Sequence, residues 1–171
     1  MERMTDPSDA LALYQQAFAA GRIPLQPGTL DRDLFVAVDQ PNGHVRFSYM
    51  QADGRTLSVL VMFAQSGLVD GHPCFNVGYA VPQAYRGQGR ATHALVAGLA
   101  ELEHGLSRAG IPEIHIEAVI GINHTVSQKV AEAVFHDPPT EIVDSVSGLP
   151  ALHYIRKITL TGKAGHSSDL A

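Results

Sequence analysis

Between residues 34 and 81 the apolar positions fall into four short runs: LFVAVD (34–39), HVRFSYMQ (44–51), RTLSVLVMFAQ (55–65) and CFNVGYAV (74–81). All four are rich in β-branched and aromatic residues and predict strands. Turn chemistry separates them, as QPNG at 40–43, ADG at 52–54 and GLVDGHP at 67–73. Connections this short join antiparallel neighbours, so the segment predicts a meander. Ahead of it, TDPSDALALYQQAFAAGR spaces Leu11, Tyr14 and Phe18 as a helix does. Asp6 or Ser8 can cap that helix, Pro7 suits its first turn, and Gly21 and Pro24 end it.

The period changes at Arg90. Ala91, Leu95, Leu99, Leu102 and Leu106 form one helical stripe that Gly110 stops. EIHIEAVIGI (113–122) predicts a strand. TVSQKVAEAVF (125–135) predicts a short helix with Val126, Val130 and Val134 turned inward. Pro138 and Pro139 break the chain, and TEIVDSV and ALHYIRKITL form a last strand pair around SGLP. The unit from Phe75 to Ile120 is expected to be a right-handed parallel crossover. The order predicts an α+β fold: a single mixed β-sheet with an antiparallel meander, a βαβ crossover and flanking helices. No internal repeat interrupts it.

A length of 171 residues suits one domain, expected over 1–160. The small, polar TGKAGHSSDLA (161–171) reads as a disordered tail. A net charge of −5 gives no general affinity for nucleic acid or an anionic membrane, so any anion site must be local. No apolar run approaches the about 18 residues of a membrane span, and MERMTDPSDA has no apolar signal core. Cys74 is the single cysteine, which rules out an internal disulfide. A cytoplasmic protein is the expectation. The nine histidines form no His-x-x-x-His pair and no cluster at ligand spacing, so no metal is expected.

The local anion site has a candidate. AVPQAYRGQGRAT (80–92) carries a predicted strand into a predicted helix through Gly87 and Gly89, flanked by Arg86 and Arg90. Such a junction exposes unpaired N–H groups at the positive end of a helix dipole, and glycine lets a phosphate approach them. A tight turn with solvent-exposed arginines would use the same residues. A P-loop needs Lys after its last glycine, and none is present. A dinucleotide fingerprint needs a third glycine where Thr92 stands, and would not follow an antiparallel meander.

RGQGRA does fit Arg/Gln-x-x-Gly-x-Gly/Ala, the acetyl-CoA signature of the GNAT N-acetyltransferase superfamily, which this sequence resembles. VGYAVPQAYRGQGRATHALV is similar to the branch that contains the ribosomal-protein N-terminal acetyltransferases. IHIEAVIGINHTVSQKVAEAVF resembles that branch's next strand and helix. The likeness is strong over roughly 75–135 and follows element order from 8 to 160. It departs in the short ERM segment where a first strand is usual, in one extra residue between Asn123 and Ser127, in the missing glycine before Phe135, and in Ser48 where glycine is common.

The resemblance implies the acyl-CoA N-acyltransferase fold and acetyl-CoA as cosubstrate. Its pyrophosphate would lie on Gly87, Gln88, Gly89, Arg90 and Ala91, with Arg86 and the Thr92 hydroxyl beside it. Its pantetheine would run along Tyr79, Ala80 and Val81 and meet Asn123. Ser127 would face the sulfur, and Tyr154 would be the acid for the leaving thiolate. Asn123 also reads as a turn residue, Ser127 as an ordinary first-turn serine and Tyr154 as core. Many members place a base on the strand entering the loop, but HPCFNVGY has no carboxylate, which leaves His72, His115 and Glu117 as candidates, or a water chain in place of a side chain.

The expected activity is transfer of an acetyl group to a primary amine by direct attack in a ternary complex. No activating base is evident beside Cys74 in the sequence, so no covalent enzyme intermediate is expected. The acceptor would be a protein N-terminal α-amine or a small-molecule amine. The alternative is a non-catalytic acyl-CoA-binding sensor of the same fold. Acetyl-CoA and the amine are the expected partners, and a homodimer is compatible with both readings.

Overall fold

The computed structural model describes residues 6–160. The expected tail at 161–171 and the question of a strand at ERM lie outside the described residues. Helix α1 (Pro7–Ala19) starts where Asp6 caps it, accepting from the Ser8 N–H at 2.8 Å. Strands β1 (Gln26–Pro27), β2 (Phe35–Asp39), β3 (Arg46–Asp53), β4 (Thr56–Val69) and β5 (His72–Ala80) follow, then helix α2 (Arg90–Arg108). Strand β6 (Glu113–Gly121), helix α3 (Thr125–Ala131), β7 (Thr140–Val143) and β8 (Pro150–Thr159) complete the order. The strands form one mixed sheet, ordered β1-β2-β3-β4-β5-β6-β8-β7. Every pairing is antiparallel except β5 with β6, which α2 links in parallel.

The predicted elements are present, with three differences. The two-residue β1 has no signal in the pattern. Strand β4 runs to Val69, through most of the segment read as a turn. The turn proper is Asp70–Gly71, with φ of 52° and 79°, a pair that suits a tight hairpin. A bulge accommodates the extra length: Gln65 pairs with Phe75 and Gly67 with Cys74, which leaves Ser66 without a partner strand residue. Helix α3 stops at Ala131, and Val126 is 76% exposed, so only Val130 and Val134 of the predicted stripe pack inward.

The two faces of the sheet are covered unequally. On one, Leu95, Leu99, Leu102 and Leu106 of α2 pack on Val59, Val61, Phe63, Phe75 and Val77, and Val130 and Ala131 of α3 extend the same core. On the other, Ala10 and Leu11 of α1 cover Met50, Leu57, Leu60, Met62 and Ala80. Gln15 pins α1 to the β3–β4 turn, accepting from Leu57 N at 2.6 Å and donating to Arg55 O at 3.0 Å. The remainder of that face, from β4 across to β8, is left open as a trough. Buried Glu101 of α2 accepts the backbone N–H groups of Thr29, Leu30 and Asp31 at 3.0, 2.6 and 2.7 Å, which docks the segment before β2.

Candidate functional site

The site begins at the loop between β5 and α2. Gly87 and Gly89 have φ of 75° and 72°, with open space where a Cβ would stand. Gly89 is the helix N-cap and offers no side chain to the first turn. The N–H groups of Gly87 through Thr92 therefore have no acceptor among the described residues; the next one, of His93, donates to Gly89 O at 3.0 Å. Six consecutive unpaired donors at the start of a 19-residue helix are an anion cradle. Both arginines also brace it. Arg86 Nε donates to Val81 O at 2.9 Å. Arg90 lies 4.8 Å from the Tyr85 ring centroid and donates to Gln88 Oε1 at 3.0 Å and Ser58 Oγ at 3.1 Å.

Strand β5 delivers this loop, and β5 parts from β6 before reaching it. The two pair at Cys74–His115, Phe75–Ile116 and Asn76–Glu117 and no further. Beyond that vertex, Val77–Ala80 still pair with β4, and Ala118–Gly121 with β8. The facing edges of β5 and β6 are thus free over that stretch, and a V opens at the carboxyl ends of two parallel strands. Such crevices are the usual ligand sites of open sheets. Tyr79 bridges the V on the α3 side, its hydroxyl donating to Ser127 O. Burial, followed by the nearby Tyr154 phenol, pushes the Tyr79 phenol up. Tyr154 lies buried beside Phe135 with ring centroids 5.6 Å apart, and burial then the Glu132 charge push its phenol up too. Its hydroxyl has no hydrogen-bond partner among the described residues.

The trough reaches the same V from the opposite face. Its volume is about 930 Å³. Pro41, His44 and Arg46 form one wall, Ile142, Val143 and Val146 the other, and Asn76 and Glu117 lie in its floor. Its lining includes Val77 and Ala118, the first residues past the vertex, so the trough opens into the split. Arg46 is held by Asp39 and contributes little free charge to that wall. The Glu117 carboxylate is held at both oxygens: Ser66 Oγ lies 3.1 Å from Oε1, and His153 Nε2 lies 3.0 Å from Oε2. Cys74 is 2% exposed, and its thiol is pushed up to about 11, chiefly by burial.

The structure brings Tyr79, Ala80, Val81, the 86–92 loop, Ser127, Tyr154 and Glu117 around one split. Asn123 is exposed in the turn between β6 and α3. His72 is not brought to the vertex: it opens β5, four residues and about 13 Å of strand before Asn76, and lies 4.0 Å from Glu113. His115 is buried two residues before the vertex, its Nδ1 without a partner among the described residues. Sequence reasoning did not single out Ser66 or His153. The first depends on the bulge and the second on the β6–β8 register, and neither leaves a local signal. Among the described residues no group of His, Cys, Asp or Glu could hold a metal ion, and no helix is long and apolar enough to cross a membrane.

No protein-family model matches the chain, and no curated protein matches it in sequence. Solved structures that match it include GNAT-family acetyltransferases. RimJ from Mycobacterium smegmatis, in complex with CoA-disulfide, is 21% identical over 69% of this chain and 54% of its own, with a TM-score of 0.50. A GnaT-family acetyltransferase from Bordetella pertussis is 20% identical over 67% of this chain and 66% of its own (TM-score 0.49). A ribosomal-protein alanine acetyltransferase from Vibrio fischeri is 16% identical over 70% and 63% (TM-score 0.48). The chain thus spans less than two thirds of the length of each of these three. The likeness to RimJ is one of fold, and the fold is the mixed α+β GNAT fold.

Proposed function

We propose that this chain transfers an acetyl group from acetyl-CoA to a primary amine by direct attack in a ternary complex, with residues 1–160 acting as a single domain. The observation that carries the reading is the split between β5 and β6. It has an anion cradle at one end, a carboxylate at its vertex and an open trough behind it. The cradle fits a pyrophosphate: six consecutive N–H groups have no acceptor among the described residues, and the space beside Gly87 and Gly89 is open.

Acetyl-CoA, when bound, supplies the acyl group as a thioester. Gly87, Gln88, Gly89, Arg90, Ala91 and Thr92 would hold its phosphates, with Arg86 and Arg90 adding positive potential. Tyr79, Ala80 and Val81 would present the free edge of β5 to its extended arm, and Asn123 stands near the exit of β6. The acceptor amine would enter through the trough and lose its proton to Glu117. Tyr154, protonated because burial pushes it up, and the Ser127 hydroxyl are the donors available to the leaving sulfur. A thiol as buried and as weakly acidic as Cys74 is a poor nucleophile, which supports direct attack. Acceptors are protein N-terminal α-amines or small-molecule amines.

The test has two parts. Acetyl-CoA should raise the melting temperature by mass action on the folded state, and NAD and ATP should do much less. An amine panel should release free thiol from acetyl-CoA, and Glu117→Gln should lower that rate by about 10²-fold or more with unchanged KM for acetyl-CoA. Stabilisation without amine-dependent thiol release would identify a binding module. Stabilisation by NAD and not by CoA would overturn the cofactor.

A further inference from the structure

Glu117 has a flexible side chain, yet each of its oxygens has a separate partner from a different strand. Ser66 comes from β4, where the bulge leaves it outside the ladder. Its Oγ lies 3.3 Å from Cys74 O and 3.1 Å from Glu117 Oε1, so its one proton is shared between a fixed carbonyl and the carboxylate. His153 comes from β8, opposite Val119, and reaches diagonally to Oε2 at 3.0 Å. Bulges beside active sites re-aim side chains in this way. We infer that Ser66 and His153 are positioning residues that clamp the Glu117 carboxylate at the vertex, one on each oxygen. The inference rests on the reading of Glu117 as the base and assigns how that base is aimed.

The surroundings support the assignment. On the trough side the other charged or titratable groups among the described residues are His44 ahead of β3, Arg46 of β3, Asp6 ahead of α1 and Asp144 in the β7–β8 turn. Arg46 is engaged by Asp39, and Asp144 is tied up by the Ser147 hydroxyl and by the N–H groups of Val146 and Ser147. Beneath the pair, the Cys74 thiol stays neutral. Among the described residues His153 is therefore the only basic side chain hydrogen-bonded to Glu117. With Nε2 3.0 Å from Oε2, any charge that His153 carries acts directly on the carboxylate. Holding and coupling separate by substitution: Gln at 153 keeps an N–H donor and removes the titration, and Ala removes both.

Two measurements on the full chain test this. The first needs no acceptor. The ¹³C carboxyl signal of Glu117, assigned by its loss in Glu117→Gln, is followed against pH. In the wild type it should carry a second step that matches the His153 ring titration, and that step should vanish in His153→Gln. A wild-type curve identical to that of His153→Gln would overturn the clamp. The second uses whichever of propylamine and an alanine-initiated tetrapeptide turns over. His153→Ala and Ser66→Ala should lower kcat about tenfold with KM for acetyl-CoA unchanged. His153→Gln and Ser66→Thr should recover most of the loss at the plateau pH. Full activity in both alanine variants, alongside an inactive Glu117→Gln, would sink the clamp and leave the base standing. An active Glu117→Gln would sink the base, and the carboxyl titration would still decide the clamp.

Discussion

Asn76 and Glu117 are the last residues to pair across β5 and β6; their successors, Val77 and Ala118, have no partner across the gap. That one pair sets the geometry of the site. The backbone of β5 beyond it leads to the glycine loop, and the Glu117 side chain at it points to the trough. In the proposed reading the donor and acceptor sides would therefore meet at one register position, which is what transfer between two bound molecules requires.

The cradle can be tested by charge alone. Asn and Asp both tolerate the left-handed conformation of Gly89, at φ 72°, and differ there by one negative charge. Gly89→Asp should weaken acetyl-CoA binding at least tenfold, about 1.4 kcal/mol, relative to Gly89→Asn. Calorimetric titration of the two folded variants reads this directly. Equal affinities would place the phosphates elsewhere.

The docking of the segment before β2 onto α2 is a stability claim. A Cβ on Gly28 would lie 2.5 Å from Glu101 Oε1 and closer still to Asp31 O. Gly28→Ala must therefore push the segment away from the carboxylate that accepts its N–H groups, at a cost of about 1–3 kcal/mol. Glu101→Gln turns an amide N–H₂ toward donors that need an acceptor and should cost a similar amount. Urea unfolding measures both. Wild-type midpoints in both variants would show that this contact contributes nothing.

Cys74 gives a pH dependence with a definite sign. Its thiol is pushed from 9.0 up to about 11 in the folded state. Below pH 9 the thiol is protonated in both states and its contribution to stability is complete. Between pH 9 and 11 the unfolded thiol ionises and the folded one does not, so stability falls, by about 2–3 kcal/mol at pH 11. Cys74→Ala should lack this component. Parallel alkaline stability curves for the two proteins would contradict it.

The periodicities carried most of the fold. Leu95, Leu99, Leu102 and Leu106 announce α2 because they all meet the same core, and the alternation of β3 and β4 reflects a sheet with two distinct faces. The reading missed the end of β4 because Gly67, Asp70 and Gly71 look alike as turn residues. Only the pairing shows that Gly67 belongs to a bulge and Asp70–Gly71 to the hairpin. The glycine loop was legible because backbone chemistry at a strand–helix junction is local. The link from Glu117 to His153 was not. They stand 36 residues apart, and the β6–β8 register that joins them follows from no single stretch of sequence.

Val119 tests the acceptor side. It lies two residues past Glu117 on the same strand face, 47% exposed and lining the trough. Because it is already exposed, Val119→Lys should leave the fold intact. The new ammonium can reach the Glu117 carboxylate and stand where the acceptor's ammonium would stand, and it repels a cationic acceptor at the mouth of the split. The rate with amines should fall about tenfold or more, and acetyl-CoA affinity should not change, since the cradle opens α2, which packs on the opposite face of the sheet. Val119→Leu, which keeps the wall apolar, should stay within about threefold of wild type. If Val119→Lys weakens acetyl-CoA binding and spares the amine, the trough is not the acceptor's entrance and the two sides of the split have been assigned the wrong way round.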